Sequence, residues 1–297
     1  MIRLAVRCRP ELAERVLADL LELAPGGVEE ERGGDWVEYA IYGPPGEVPA
    51  LPDLEAAAGE GLVEISSTEI PDDWADRWRD FHEPALIAGG RIVVRPSWET
   101  GPDPSPRSPA GEAEEVAGMS VAGISVVIDP GQAFGTGAHA TTKMCLELLL
   151  ELADAGEASG PLTDLGTGSG VLAIAAAKLG WDPVLGVDSE AASIEAATAN
   201  AAANGVEIEF RRLNLREDRP PGAPTLVANL TAPLLEAVAA GLAGPPATLI
   251  CSGLLASEAE RVSAALSAAG LDPVKRRAEG DWAALLCRAR ESDSTAV

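Results

Sequence analysis

PLTDLGTGSGVLAIAAAKLG, residues 161–180, decides the fold. A short apolar run, PLTDL, enters a glycine turn that leads straight into SGVLAIAAAKL, a helical stretch with Gly180 as its C-cap. A strand feeding a helix through glycines is the unit of a parallel α/β sheet. The glycines also let the backbone approach a ligand at the helix N-terminus, where open α/β sheets bind cofactors.

The unit repeats on either side. Upstream, a helix runs from Thr141 through Met144, Leu148 and Leu152. Downstream, PVLGVD reads as a strand and SEAASIEAATANAAANG as a helix with Ser189 as N-cap and Gly205 as terminator. VEIEFRRL, alternating Val206, Ile208 and Phe210, and PTLVAN are further strands. A helix from Pro233, the strand ATLICSG, the helix SEAERVSAALSAAG and a closing hairpin of PVKRRAEG and WAALLCRA complete the pattern.

The ligand follows from two details. Asp188 closes the next strand 22 residues beyond Gly166, where an acidic side chain accepts hydrogen bonds from a ribose diol. Adenosylmethionine and NAD both carry that diol. The dinucleotide fingerprint wants Gly or Ala at its sixth position, however, and bulky Val171 stands there, so the GxGxG form matches the methyltransferase version. A second glycine-rich stretch, DPGQAFGTGAHATTK at 129–143, lacks the Gly-Lys-Ser/Thr core of a nucleoside-triphosphate loop. Asn229 ends the strand PTLVAN. At that edge its carbonyl would hold an attacking amine in line with a methylsulfonium carbon, or the side chain would serve as a helix cap or turn residue.

Composition bounds the rest. A chain of 297 residues suggests two domains. No apolar run approaches the roughly 20 residues of a membrane span, and the first residues lack a signal-peptide core, so a cytoplasmic protein is expected. Four scattered cysteines without a CxxC pair, and two histidines, His82 and His139, argue against a metal site. Asp and Glu outnumber Lys and Arg by 47 to 22, a net −25, which disfavours a nucleic-acid backbone and suits a basic macromolecular partner or simple solubility.

Residues 1–70 alternate short elements: the strand IRLAVRC, a helix with Leu12, Val16, Leu20 and Leu23 in one stripe, the strand WVEYAIYG after the turn at Gly33 and Gly34, then PDLEAAAGEG and LVEISSTEI. This reads as a small α+β domain of split βαβ type. Residues 71–119 read as an interdomain segment in which Trp74, Trp78 and Phe81 share one helical face. Within it, GPDPSPRSPAGEAEEVAG carries four prolines and almost nothing to bury, and reads as a mobile insertion. The catalytic domain is expected at 120–297.

DPGQAFGTGAHATT, DLGTGSGVLAIAAAKLG, GVDSEAASIEAATANAAANG, VANLTAPL, ICSGLLASEAERV and EGDWAALLCR, in that order, resemble the PrmA family, the methyltransferases of ribosomal large-subunit protein eleven. The resemblance implies a class I methyltransferase with a Rossmann-like seven-stranded sheet, behind a small ferredoxin-like domain that captures the ribosomal protein. It implies S-adenosyl-L-methionine as cofactor, with lysine and N-terminal amino groups as acceptors. The family's contacts fall on Thr142, Gly166, Asp188 and Asn229, the last also positioning the amine. Gly168 and Gly170 belong to the same turn, and Phe134, Gly135 and His139 would add lining, His139 alternatively steadying a turn. The chain departs from the family at Thr167, where Cys is usual, at Leu230–Thr231, and at Ala140 after His139. A methyltransferase with another substrate, and a non-catalytic cofactor-binding module in ribosome assembly, are the competing readings.

Overall fold

The computed structural model describes residues 2–23, 28–43, 48–49, 62–69, 84–99, 123–129 and 137–290. These form two compact units, one built on the described residues up to 69 and the other on those from 84 onward. Trp74, Trp78, Phe81, the stretch PDLEAAAGEG and the proline-rich stretch lie outside the described residues.

In the first unit, β1 (Ile2–Cys8), α1 (Ala13–Leu23), β2 (Glu29–Arg32), β3 (Val37–Gly43) and β4 (Leu62–Glu69) give a four-stranded sheet of order β2-β3-β1-β4, antiparallel throughout. That order is the one a split βαβ arrangement requires. Leu4, Val6 and Cys8 share one buried face of β1, and Ala5 on the other face is buried as well. The helix stripe differs from the expected one. Pro10 opens a short 3-10 turn that takes up Leu12, while Val16 and Leu20 are buried as expected and Ala13 and Leu17 join them. β2, sequence EEER, is exposed at every position and has no apolar alternation to reveal it; it exists because it pairs with β3. On the sheet face opposite Val6, Glu38 is only 5% exposed and accepts from both Arg3 and Arg7. Burial pushes its carboxyl up, but the two guanidinium groups outweigh that and hold it below the usual range.

The second unit opens with a three-stranded sheet, β5 (Ala85–Ile87), β6 (Ile92–Arg95) and β7 (Ile124–Val127), in that order. The main sheet contains β8 (Leu162–Leu165), β9 (Val184–Asp188), β10 (Glu209–Arg212), β11 (Thr225–Asn229), β12 (Thr248–Leu255), β13 (Leu271–Glu279) and β14 (Trp282–Ala289). Its order is β10-β9-β8-β11-β12-β14-β13. The first five are parallel, and β14 runs antiparallel between β12 and β13, as the expected hairpin demands. The helix α2 (Ala140–Asp154) leads into β8, and the crossovers are α3 (Val171–Leu179), α4 (Ala191–Ala203), α5 (Ala232–Gly241) and α6 (Ala259–Ala268). β8, all four residues buried, and β11, with Leu226, Val227 and Ala228 at 0% exposure, form the apolar centre that parallel strands covered on both faces require. The strand order reverses between β8 and β11, so their carboxyl ends open the crevice where such sheets bind ligands.

Two boundaries shift. The cap before α4 is Glu190 and not Ser189, because Glu190 N donates to the Asp188 carboxylate at 3.0 Å and draws the chain one residue further before the helix starts. VEIEFRRL pairs only over Glu209–Arg212, parallel to Leu185–Asp188, because Val206 and Glu207 align with residues before β9 begins at Val184, where Pro183 has no N–H to pair.

Candidate functional site

The carboxyl end of β8 becomes the turn Gly166–Gly170. Gly166, Gly168 and Gly170 take φ of 73°, 52° and 83°, a left-handed backbone that favours glycine. At Gly166 an added Cβ would also stand 2.3 Å from Leu230 Cδ2, so the turn and the loop after β11 are packed in direct contact. The N-terminus of α3 follows with no side-chain cap on its first residue. Asp164 covers part of it from below: its Oδ2 accepts from Ala173 N at 3.2 Å and from the Thr167 hydroxyl at 2.7 Å. Thr167 thus earns its place in the turn through a hydroxyl that donates to a buried acid. Complete burial raises the Asp164 carboxyl to about 7, against the pull of those two donors and with help from the nearby Asp188 charge.

Asp188, at the end of β9, is half-buried. Its Oδ2 accepts from Gly168 N at 2.9 Å and its Oδ1 from Glu190 N at 3.0 Å, so the carboxylate is fixed at the lip of the turn with lone pairs remaining for a diol.

Asn229 ends β11. Its Nδ2 donates to the Thr142 hydroxyl at 3.2 Å, while Oδ1, buried, has no hydrogen-bond partner. Thr142 is fully buried in the first turn of α2. The two residues, 87 apart in sequence, are therefore held together across the crevice, with one amide oxygen left to accept from a ligand.

His139 caps α2. Its Nδ1 lies 2.8 Å from the Thr141 hydroxyl and accepts from Thr141 N at 3.4 Å, while its ring stands edge-on to Trp282, centroids 4.9 Å apart. Burial, and then the charge of Lys143, lower the imidazole to about 4. Trp282, 4% exposed at the start of β14, is the site residue that sequence reading missed. Its only signal is a lone aromatic just after the Gly280 turn. Phe134 and Gly135 lie outside the described residues.

The imidazole has a measurable consequence. Its folded value, about 4, lies below the ordinary 6.5, so the unfolded chain takes up the proton first as pH falls. Stability present above pH 6.5 is lost as pH drops toward 4, by as much as ~3 kcal/mol. Urea unfolding at pH 7 and pH 5 should show a larger drop in the wild-type protein than in His139→Asn, which keeps a helix-capping side chain. Equal drops would mean that His139 is not buried as a neutral group.

Gly253 supports Asn229 from behind. It has φ 85°, and an added Cβ would stand 2.5 Å from Leu230 O and 2.8 Å from Leu230 C and N. Those are backbone atoms, which a rotamer change cannot move. Gly253→Ala should therefore cost at least about 2 kcal/mol in denaturant unfolding and lower methyl transfer about tenfold by displacing the peptide after Asn229. An active, fully stable variant would refute this packing.

The turn with glycine at every second position, the anchored carboxylate and the orphaned amide oxygen fit a cofactor with a ribose and a charged, transferable end. Sheet order and site together define a class I adenosylmethionine-dependent methyltransferase. The family described as Ribosomal protein L11 methyltransferase (PrmA) matches residues 53–290. A protein of Pelotomaculum thermopropionicum named Ribosomal protein L11 methyltransferase is 34% identical, covering 97% of this chain and 98% of its own. One of the same name from Pseudomonas aeruginosa is 38% identical over 78% of this chain and 74% of its own. Among solved structures, a ribosomal protein L11 methylase from Lactobacillus delbrueckii subsp. bulgaricus superposes with a TM-score of 0.55 at 26% identity, covering 69% of this chain and 98% of that one. The chain belongs to the ribosomal protein L11 methyltransferase (PrmA) family.

Proposed function

We propose that this chain methylates amino groups, lysine side chains and the N-terminal amine, of ribosomal protein L11. The orphaned Asn229 oxygen beside the Gly166–Gly170 turn is the observation that carries the chemistry. The names of relatives covering nearly the whole chain support the substrate.

Bound at the turn, adenosylmethionine supplies a methyl carbon with a sulfonium leaving group. The residues of the chain must present a neutral amine to it in line. A free lysine titrates near ~10.4, so the crevice has to favour the uncharged form by desolvation. Asn229 Oδ1 accepts an N–H of the amine and so aims its lone pair, with Thr142 holding the amide by its Nδ2. His139, neutral at physiological pH, adds no positive charge to repel a cationic cofactor or an arriving ammonium. No side chain is assigned as general base; the proton leaves to water or to carbonyl groups.

On this reading residues 1–70 form the substrate-recognition part, residues 120–297 carry catalysis, and the protein works in the cytoplasm on a basic protein rather than on nucleic acid. The net charge of −25 favours encounter with such a partner. Among the described residues no helix is long and apolar enough to cross a membrane. Mass spectrometry of purified L11 after incubation with enzyme and adenosylmethionine tests the proposal. Gains in whole methyl increments on lysines and the N-terminus are expected; an unchanged mass would refute the substrate.

A further inference from the structure

Asn200, in α4, and Asn204, the residue that caps its C-terminus, lie one turn apart in a stretch otherwise dominated by alanine. Asn204 serves β7 alone among the strands: its Oδ1 accepts from Val127 N at 2.9 Å and its Nδ2 donates to Val127 O at 2.6 Å, with a second bond back to Asn200 O. Asn200, 4% exposed, does something different. Its Oδ1 accepts from Asp129 N at 3.1 Å, and its Nδ2 donates to Ser169 O at 2.9 Å. Asp129 opens one glycine-rich stretch of the sequence and Ser169 sits in the middle of the other. One buried carboxamide therefore joins the two, with both its donor and its acceptor engaged.

The first half of the turn is tied to β9, with Gly166 N and Thr167 N donating to Val187 O and Gly168 N to Asp188, while its second half lies against α4. α4 runs directly beneath it: a Cβ on Gly170 would meet Ala197 Cβ at 3.1 Å and Ala197 Cα at 3.2 Å. Small residues bring the helix that close, but they give no directional hold on the peptides of the turn. Asparagine is a poor helix former and costly to bury, so its placement here requires a compensating role. We propose that Asn200 is a positioning residue of the cofactor site, fixing the Ser169 peptide, and with it the Gly168–Gly170 backbone, against the end of β7.

The inference rests on the cofactor lying along the Asp164–Gly170 turn. That placement is tested separately by adenosylhomocysteine binding to the wild-type protein and its weakening in Asp188→Ala. If that pair behaves as expected while Asn200 variants bind normally, the inference alone fails.

The experiment compares Asn200→Ser and Asn200→Asp with Asn204→Ser in the full-length protein. Asn200→Asp keeps an acceptor for Asp129 N but places a carboxylate oxygen against Ser169 O. Calorimetry with adenosylhomocysteine should show Kd raised ~10-fold by either Asn200 substitution, with KM for adenosylmethionine rising in step and kcat changing less than about twofold. Asn204→Ser, which loosens the same helix and strand without touching the turn, should leave Kd within about twofold even where its melting temperature falls as far. Equal shifts in Kd for the Asn200 and Asn204 variants, or no shift in either, would reduce both residues to structural ones. Hydrogen exchange on the wild-type protein reads the same link without substitution. Adenosylhomocysteine should slow exchange at the Asp129 amide and leave Val127 unchanged; no added protection at Asp129 overturns the proposal.

Discussion

Replacing Asn229 with alanine should lower kcat for methyl transfer by about 100-fold, with a smaller effect on cofactor affinity, because a misdirected nucleophile costs far more than a lost contact. The buried residues of β11 fix Asn229 at the carboxyl edge of the sheet. Thr142 takes the amide nitrogen, which leaves the buried oxygen as the free acceptor. Alanine removes that acceptor and strands the Thr142 hydroxyl together. Asn229→Asp is the sharper comparison. A carboxylate would accept from the amine but would also stabilise its protonated, unreactive form, so kcat should recover only as pH is raised. Steady-state rates over a pH series read both effects, and a wild-type kcat in Asn229→Ala would remove Asn229 from the mechanism.

Asp188→Ala should raise the Kd for adenosylhomocysteine by about 100-fold or more, since two hydrogen bonds to a charged acceptor contribute about 1.5–3 kcal/mol each. Part of the loss comes from within the protein. Gly168 N and Glu190 N both donate to this carboxylate, and without it the turn loses a bond that holds its shape. Asp188→Asn, which keeps one acceptor for Gly168 N, should fall between the wild-type protein and alanine. Calorimetry measures all three, and equal affinities would mean that the ribose lies elsewhere.

The reading of residues 161–180 carried far because the physics there is local. A strand of apolar residues, a turn that needs glycine and an alanine-rich helix each announce themselves within a few positions, and β8, the turn and α3 follow in that order. Asp188 and Asn229 were legible for a related reason: each is the polar residue that ends an apolar strand. What escaped depends on partners distant in the chain. β2 shows no periodicity and is defined by its neighbour β3. β5, β6 and β7 form a separate sheet in which residues 92–95 pair with 124–127 across a long gap. Trp282 becomes a site residue only because β14 brings it beside His139. Asn200 reads in sequence as one more polar position on a helix, and only its two hydrogen bonds distinguish it.

A crystal structure of the protein with adenosylhomocysteine tests the central claim most directly. The ribose hydroxyls should lie within hydrogen-bonding distance of the Asp188 carboxylate, with the nucleoside along the Gly166–Gly170 turn and the sulfur beside the Asn229–Thr142 pair. A ligand seated away from that turn, or a sulfur facing away from Asn229, would contradict it.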